Sequence, residues 1–485
     1  MPAARVRRGR PRYTVAMTCT PLSPVALHEL ATLDRAARDA LIVRVEEDLD
    51  RYLEGAQPII DAVRAEGDEA LARFGREFDG AQALSATTIL ATASDFDRAF
   101  DALDAALIDT MELAAEHIRR FHQAQLPKDM WMTEIRPGVL VGERATPIDS
   151  VACYSPRGKG SFPVVTLMTA IPAVVAGVPS PVILTPPGAD GEVDPATLVA
   201  ARIAGIDTVC KAGGAQAVAA AAFGTNSVPR CHKIVGPGSP WLVAAKRLLS
   251  GQIDPGLPAG PSETILLADP SANAHIAALD LCIESEHGPD SGAFLVTWDR
   301  KLAEHVCELV PAYWARMGDT LAQYSSTVLS GKRGGVVLAA NAQEAYDFVN
   351  DYAPEHCQVL SKTPFEHLSH VRNASEILLG EHAAGSLANY LMGPNCVLPT
   401  AAGARTHSPL GVPDFMKTCS VGHVTDVGYK ALAPHTHRFA CYEGFDGHAN
   451  AVSVLRDAAH AGQAPGPGGV GDCTEQNKSE QSKNT

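Results

Sequence analysis

The sequence lacks a C-x-x-C pair, and its 11 cysteines are an odd number scattered from Cys19 to Cys473. Neither a disulfide framework nor a thiolate zinc site is expected from that spacing. It also lacks an excess of cations: 40 Lys and Arg against 55 Asp and Glu leave a formal charge of −15. Nucleic-acid binding rests on clustered cations that neutralise phosphates, so small molecules are the expected partners. No secretory leader is expected either, because Arg5, Arg7, Arg8, Arg10 and Arg12 are not followed by an apolar stretch. The expected compartment is the cytoplasm. The basic run reads either as a disordered tag or as an over-extended start ahead of Met17, with the second favoured. One uncharged run, Phe162 to Pro187, has the length of a membrane span, but Pro163, Pro172, Pro179, Pro181, Pro186 and Pro187 would break it repeatedly. It parses instead as a helix from Val164 to Ala176 followed by a buried strand from Pro181 to Thr185. There is no internal repeat strong enough to name, and neither glycine turn that follows a strand-like run reads GxGxxG.

What remains is an ordinary globular balance, 46% hydrophobic and 20% charged over 485 residues, enough for several domains. From Leu22 to about Gln125 apolar residues recur at three- and four-residue intervals, which predicts an α-rich region. From Val139 onward short apolar runs (SVACYS, PVILTPP, DTVCKAGG, HKIVGPG) alternate with helical text. A second region of this kind runs from about Ser262 to Pro399, with TILLAD, GAFLVTW, GVVLAA and CQVLS as strands. Such alternation predicts βαβ units on parallel sheets, an α/β fold. A His-rich, aromatic segment follows Arg405 and ends near His460, and the Gly/Pro-rich then polar end reads as a disordered tail.

Two glycine turns, Gly213-Gly214 and Gly236-Pro237-Gly238, each follow an apolar run and lead into a helix. Free N–H groups at such helix starts can face an anion, though such a turn is more often plain topology. Glu-His occurs six times, at Glu116, Glu286, Glu304, Glu355, Glu366 and Glu381, so the dipeptide alone says little. Glu116-His117, Glu304-His305 and Glu366-His367 lie in polar helical text and are expected on solvated faces. Glu355-His356 differs: Pro354 opens a new segment just before CQVL, which restrains both side chains at a strand entrance. Glu284-x-x-His287 places a carboxylate and an imidazole one helical turn apart, either half of an O/N metal site or a surface pair. Asn389 and His448 are candidates for the other half, far along the chain.

The runs Pro258-Ala-Gly-Pro-Ser-Glu263, Glu286-His-Gly-Pro-Asp-Ser291, Ala353-Pro-Glu-His356, Gly393-Pro-Asn-Cys-Val-Leu-Pro-Thr400 and Gly447-His-Ala-Asn-Ala-Val452 resemble, in order and spacing, the histidinol dehydrogenase family. These are zinc- and NAD-dependent enzymes that oxidise an amino alcohol to an amino acid in two steps. The likeness runs from about Leu22 to His460. It implies a general base at His356 and a water-activating neighbour at Glu355. It implies zinc, one per subunit, on Glu284, His287, Asn389 and His448. Substrate contacts would come from Ser262, Glu284, His287, Cys396, Glu443 and His448, and NAD contacts from Tyr154, Gln216 and Ser239. The implied fold is two incomplete Rossmann-like domains with a helical N-terminal arm and a small C-terminal segment, in an intertwined homodimer with shared active sites. The implied boundaries are a disordered or mis-assigned start over 1–21, an arm over 22–45, a first domain over 46–153 and 263–410, a second over 154–262, a dimer-crossing segment over 411–460, and a tail over 461–485.

Four matches depart from the family pattern, which has Gln at Glu284, Asp at Asn389, His at Cys396 and Asn at Ser239. The first two exchange amide for carboxylate and carboxylate for amide, so the implied site keeps one formal charge and zinc binding is expected to be retained. Cys396 replaces an imidazole with a small weak thiol, so a substrate group that the imidazole held would lose its partner. The loop from Tyr154 to Ser161 carries Arg157 and Lys159, which either face an anion or point to solvent. The expected reaction is oxidation of a primary alcohol to a carboxylate, with histidinol the default. The alternatives are a paralogue acting on another small polar or anionic alcohol, such as a sulfonated diol, and a non-catalytic metal-binding homologue.

Overall fold

The computed structural model describes residues 22–42, 49–157 and 160–463. The basic N-terminal run, Lys159 and the expected tail from 464 onward lie outside the described residues. The chain divides into two units, one of residues 1–125 with 148–415, the other of residues 126–147 with 416–485.

The first unit holds two sheets, both wholly parallel. The larger has six strands in the order Leu27–Glu29, Gly334–Leu338, Gly292–Thr297, Glu263–Ala268, His356–Leu360 and Glu376–Leu379. Its central strands are buried along their whole length, as sheets covered on both faces require, and they therefore read as continuous apolar runs. Helices Ala274–Ser285, Arg300–Trp314 and Asp319–Leu329 supply a core around Leu281, Val306 and Trp314. Leu41 and helix Ala342–Tyr352 contribute to a second core around Phe294, Phe348 and Val349.

The smaller sheet has four strands in the order Val209–Lys211, Ser180–Thr185, Ser150–Tyr154 and Lys233–Val235. The proline-broken run folds as helix Pro163–Val175 and strand Ser180–Thr185, one residue from the expected bounds at most ends. Pro163 sits at the start of that helix, where its missing N–H costs nothing. Asp194 caps the next helix by accepting from the Thr197 N–H, and Gly205, in the left-handed conformation at φ 96°, closes it.

Sheet membership corrects the expected boundaries. Within the helical arm, Leu27–Glu29 is an edge strand paired with Val336, Val337 and Leu338. Ile59, Ile60 and Val63 of helix Asp50–Glu66 share a core with Ile234, Val218 and Leu242 of the four-stranded half, not with the six-stranded sheet. The boundary expected between 153 and 154 falls inside a strand. Long-range pairing, not adjacency along the chain, decides which sheet a segment joins.

The second unit is an antiparallel sheet in which Val139–Pro147 lies between Met130–Arg136 and Met416–Val424, followed by helices Asp426–Glu443, Asp446–Asn450 and Val454–His460. The dimer-crossing segment expected from 411 thus takes two strands from residues 126–147, and Val412–Phe415 stays with the first unit. Within it Phe439, Tyr442 and Val454 are 70%, 79% and 77% exposed, a large apolar surface for so small a body. Among the described residues no helix is long and apolar enough to cross a membrane.

Candidate active site

The expected catalytic pair stands at the N-terminal edge of the six-stranded sheet. Ala353, at φ 51°, ends helix Ala342–Tyr352 in the left-handed conformation. For a residue with a Cβ this costs about 1–2 kcal/mol, and it turns the chain through Pro354 and Glu355 into strand His356–Leu360. Glu263, His356 and Glu376 each open their strand, so the edge gathers three first residues. The Glu355 carboxylate accepts from the Glu263 N–H through Oε2 at 3.0 Å, and its Oε1 lies 3.9 Å from His356 Nε2. On the other side of the ring, Nδ1 is 2.8 Å from Glu376 Oε2.

Helix Ala274–Ser285 brings in the metal candidates. Gln358 donates to Asp280 Oδ2 at 2.8 Å, tying the helix to strand His356–Leu360. Glu284, one turn further on the same face, is thereby held beside His356. Its Oε1 accepts from Asn389 Nδ2 at 2.9 Å and its Oε2 lies 3.3 Å from His287 Nδ1. That nitrogen also lies 3.1 Å from the Ile283 carbonyl, which marks it as the N–H side and Nε2 as the side with the lone pair. A carboxylate, an amide and an imidazole oriented through Nδ1 form an O/N donor set of the kind zinc accepts. The residues present therefore fit the implied metal.

Burial and like charges set the titration of this edge. Burial pushes the Glu355 carboxyl up to about 8, with His356 opposing and Glu284 and Glu263 adding to the rise. Burial alone would lower the His356 imidazole, but Glu355, Glu376 and Glu284 outweigh it and raise it well above the usual value. Glu284 stays below its usual range despite burial, because His356, His287, Asn389 and Ser262 favour its charge. Cys396 lies within reach of Glu376, Glu355 and Glu284, and burial followed by those carboxylates pushes its thiol up to about 12. Cys396 therefore presents a neutral thiol to this edge.

The three cofactor candidates meet at the C-terminal edge of the four-stranded sheet. Tyr154 ends its strand buried, and its hydroxyl accepts from the Gly214 N–H at 3.1 Å. Gln216 lies buried in the first turn of helix Gly214–Phe223, and Ser239 precedes helix Pro240–Leu248 exposed. A Cβ on Gly236, at φ 112°, would stand 2.2 Å from the Tyr154 carbonyl, so only glycine lets the Lys233–Val235 strand turn this close. The strand order reverses between those two strands, the point at which open parallel sheets generally take a ligand. Arg157, in contrast, donates to the Glu192 carbonyl at 3.0 Å and adds to the electrostatics of Asp79.

The structure thus brings Ser262, Glu284, His287, Glu355, His356, Asn389 and Cys396 together, and separately Tyr154, Gln216 and Ser239. Glu443, at the end of helix Asp426–Glu443, and His448, against the Phe445 ring at 5.3 Å, belong to the second unit and are exposed. Of Glu366-His367 only Glu366 lies on a solvated face: His367 is buried, with Nδ1 2.8 Å from the Tyr346 hydroxyl and Nε2 3.3 Å from Asp269. His117 is likewise engaged, its Nδ1 lying 2.7 Å from the Leu391 carbonyl. Glu376 carries little mark in the sequence beyond being a charged residue that opens the apolar run EILL.

The histidinol dehydrogenase family model matches residues 42–456. A "Histidinol dehydrogenase homolog" of Colwellia psychrerythraea is 55% identical over 90% of this chain and 97% of its own length. A "Histidinol dehydrogenase" of Synechocystis is 43% identical over 84% and 94% respectively. The crystal structure of histidinol dehydrogenase from Elizabethkingia anophelis superposes with a TM-score of 0.83 at 28% identity, covering 90% of this chain and 99% of that one. The α/β architecture with parallel sheets is the one those proteins share, and the chain belongs to the histidinol dehydrogenase family of NAD-dependent dehydrogenases.

Proposed function

We propose that the chain oxidises a small polar primary alcohol through its aldehyde to the carboxylate, with L-histidinol to L-histidine as the default pair. The observation that carries this reading is the buried Glu355-His356 pair, placed by Glu284 next to an O/N donor set. His356 takes the hydroxyl proton, and Glu355 then activates the water that adds to the aldehyde. One water enters, and two hydrides and three protons leave, which balances the alcohol against the carboxylate. Zinc would be held by Glu284, His287, Asn389 and His448, and when bound it supplies a Lewis acid, as NAD supplies the hydride acceptor.

In this reading each parallel sheet of the first unit is an incomplete Rossmann-like half, and Tyr154, Gln216 and Ser239 border the cofactor. The chain acts as an intertwined cytoplasmic homodimer, in which Glu443 and His448 serve the partner's site. The exposed Phe439, Tyr442 and Val454 support a covered face on the second unit.

A second reading, oxidation of another small polar or anionic alcohol such as a sulfonated diol, is favoured by Cys396. A neutral thiol there removes an imidazole partner that a histidinol-type site offers its substrate. The qualifier "homolog" on the 55% relative, absent from the name of the 43% one, points the same way. A panel of amino alcohols and anionic diols with purified, zinc-loaded protein, read as cofactor reduction, separates them. Highest kcat/KM on histidinol supports the default and highest kcat/KM on an anionic diol supports the second. No reduction with any primary alcohol contradicts both.

A further inference from the structure

Glu376 lies 20 residues beyond His356 in the chain, yet the two are direct register partners on adjacent parallel strands. In such a pair the side chains leave the same face side by side, so backbone geometry holds the carboxylate against the ring. The strand entrances are joined further by the Glu376 N–H donating to the Glu355 carbonyl and the Ser375 N–H donating to the Pro354 carbonyl, both at 3.1 Å. Both side chains are buried, which excludes the solvent that would otherwise compete for Nδ1. A carboxylate only accepts, so the nitrogen that faces it must carry the proton.

Resting on the reading of His356 as the base, we propose that Glu376 is its positioning residue, fixing the ring in the Nδ1–H tautomer with Nε2 turned toward Glu355 and the reacting alcohol. The carboxylate also stands where it stabilises the imidazolium that forms when the hydroxyl proton arrives at Nε2. Glu355 cannot do this work, because it lies on the Nε2 side at 3.9 Å. A purely structural pair would make a different demand: it would need a hydrogen bond at this edge, not a particular tautomer.

The test is Glu376→Gln, which keeps shape and an acceptor oxygen but removes the charge and offers an amide N–H that can donate to Nδ1. With 15N-labelled histidine, the His356 signals are identified among the 17 histidines by their loss in His356→Asn. Read at a pH high enough to leave the His356 ring neutral, since its neighbours raise its titration, the expected result is an Nδ1–H tautomer in the native protein and a mixed or inverted one in Glu376→Gln. Turnover on whichever alcohol the panel selects should fall by roughly a hundredfold, with KM within about twofold. An Nε2–H tautomer in the native protein, or undiminished kcat in a folded Glu376→Gln protein, overturns the assignment. Should no alcohol be turned over, the reading of the reaction fails by itself and the tautomer still decides the role of Glu376. Should Glu376→Gln fail to fold, the native tautomer decides.

Discussion

Asn389 donates to Glu284 at 2.9 Å across 105 residues of sequence, joining the two positions at which the resemblance implies that carboxylate and amide are exchanged. Contact makes them one coupled substitution. Glu284→Gln alone leaves this donor set without a carboxylate, and Asn389→Asp alone places two carboxylates in contact. Each single change should lower zinc affinity or turnover, and the double change should recover much of the loss. Zinc titration across the four proteins checks this; additive effects would make the exchange a coincidence.

Cross-subunit sharing predicts complementation. Neither His356→Ala nor His448→Ala should turn over substrate, but co-expression should give heterodimers with one intact site and about a quarter of full activity for statistical pairing. Mixtures as dead as the parents would place His448 in its own subunit's site.

Asp79 predicts a pH signature in stability. Its Oδ2 is buried without a hydrogen-bond partner, and burial, opposed by Arg157, raises the carboxyl from 3.8 to about 6. The folded protein therefore binds more protons than the unfolded chain between those values. Stability from this group is complete below pH 3.8 and is lost as pH rises through 6. Asp79→Asn should thus be more stable than the native protein above that range, by on the order of 1 kcal/mol once solvent screening of a half-buried group is allowed for. Urea denaturation at several pH values measures it, and equal pH dependence in both proteins would refute it.

The buried parallel strands were legible because complete burial leaves a continuous apolar run, as in TILLAD and CQVLS. Met130–Arg136 was not, because every residue in it is exposed and no alternation marks it. The Glu355-His356 pair stood out through Pro354, whose ring sets the strand entrance. Glu376 did not, since its meaning depends on which strand lies beside His356, and sheet order is not written in local periodicity. His367 was misread for the same reason: Asp269, its charged partner, is 98 residues away.

Metal removal should abolish turnover, and zinc should restore it while leaving the fold intact, because the donor set lies at one sheet edge and not within a core. Circular dichroism and activity before and after chelation check this. Full activity in verified metal-free protein would take zinc out of the account.

The central claim is that Glu355 and His356 carry one alcohol through two oxidations. It is tested most directly by counting cofactor reduced against alcohol consumed to completion, with product identified by mass. Two equivalents of reduced cofactor for each alcohol, with a carboxylate as the product, are expected. One equivalent, with aldehyde accumulating, would contradict it.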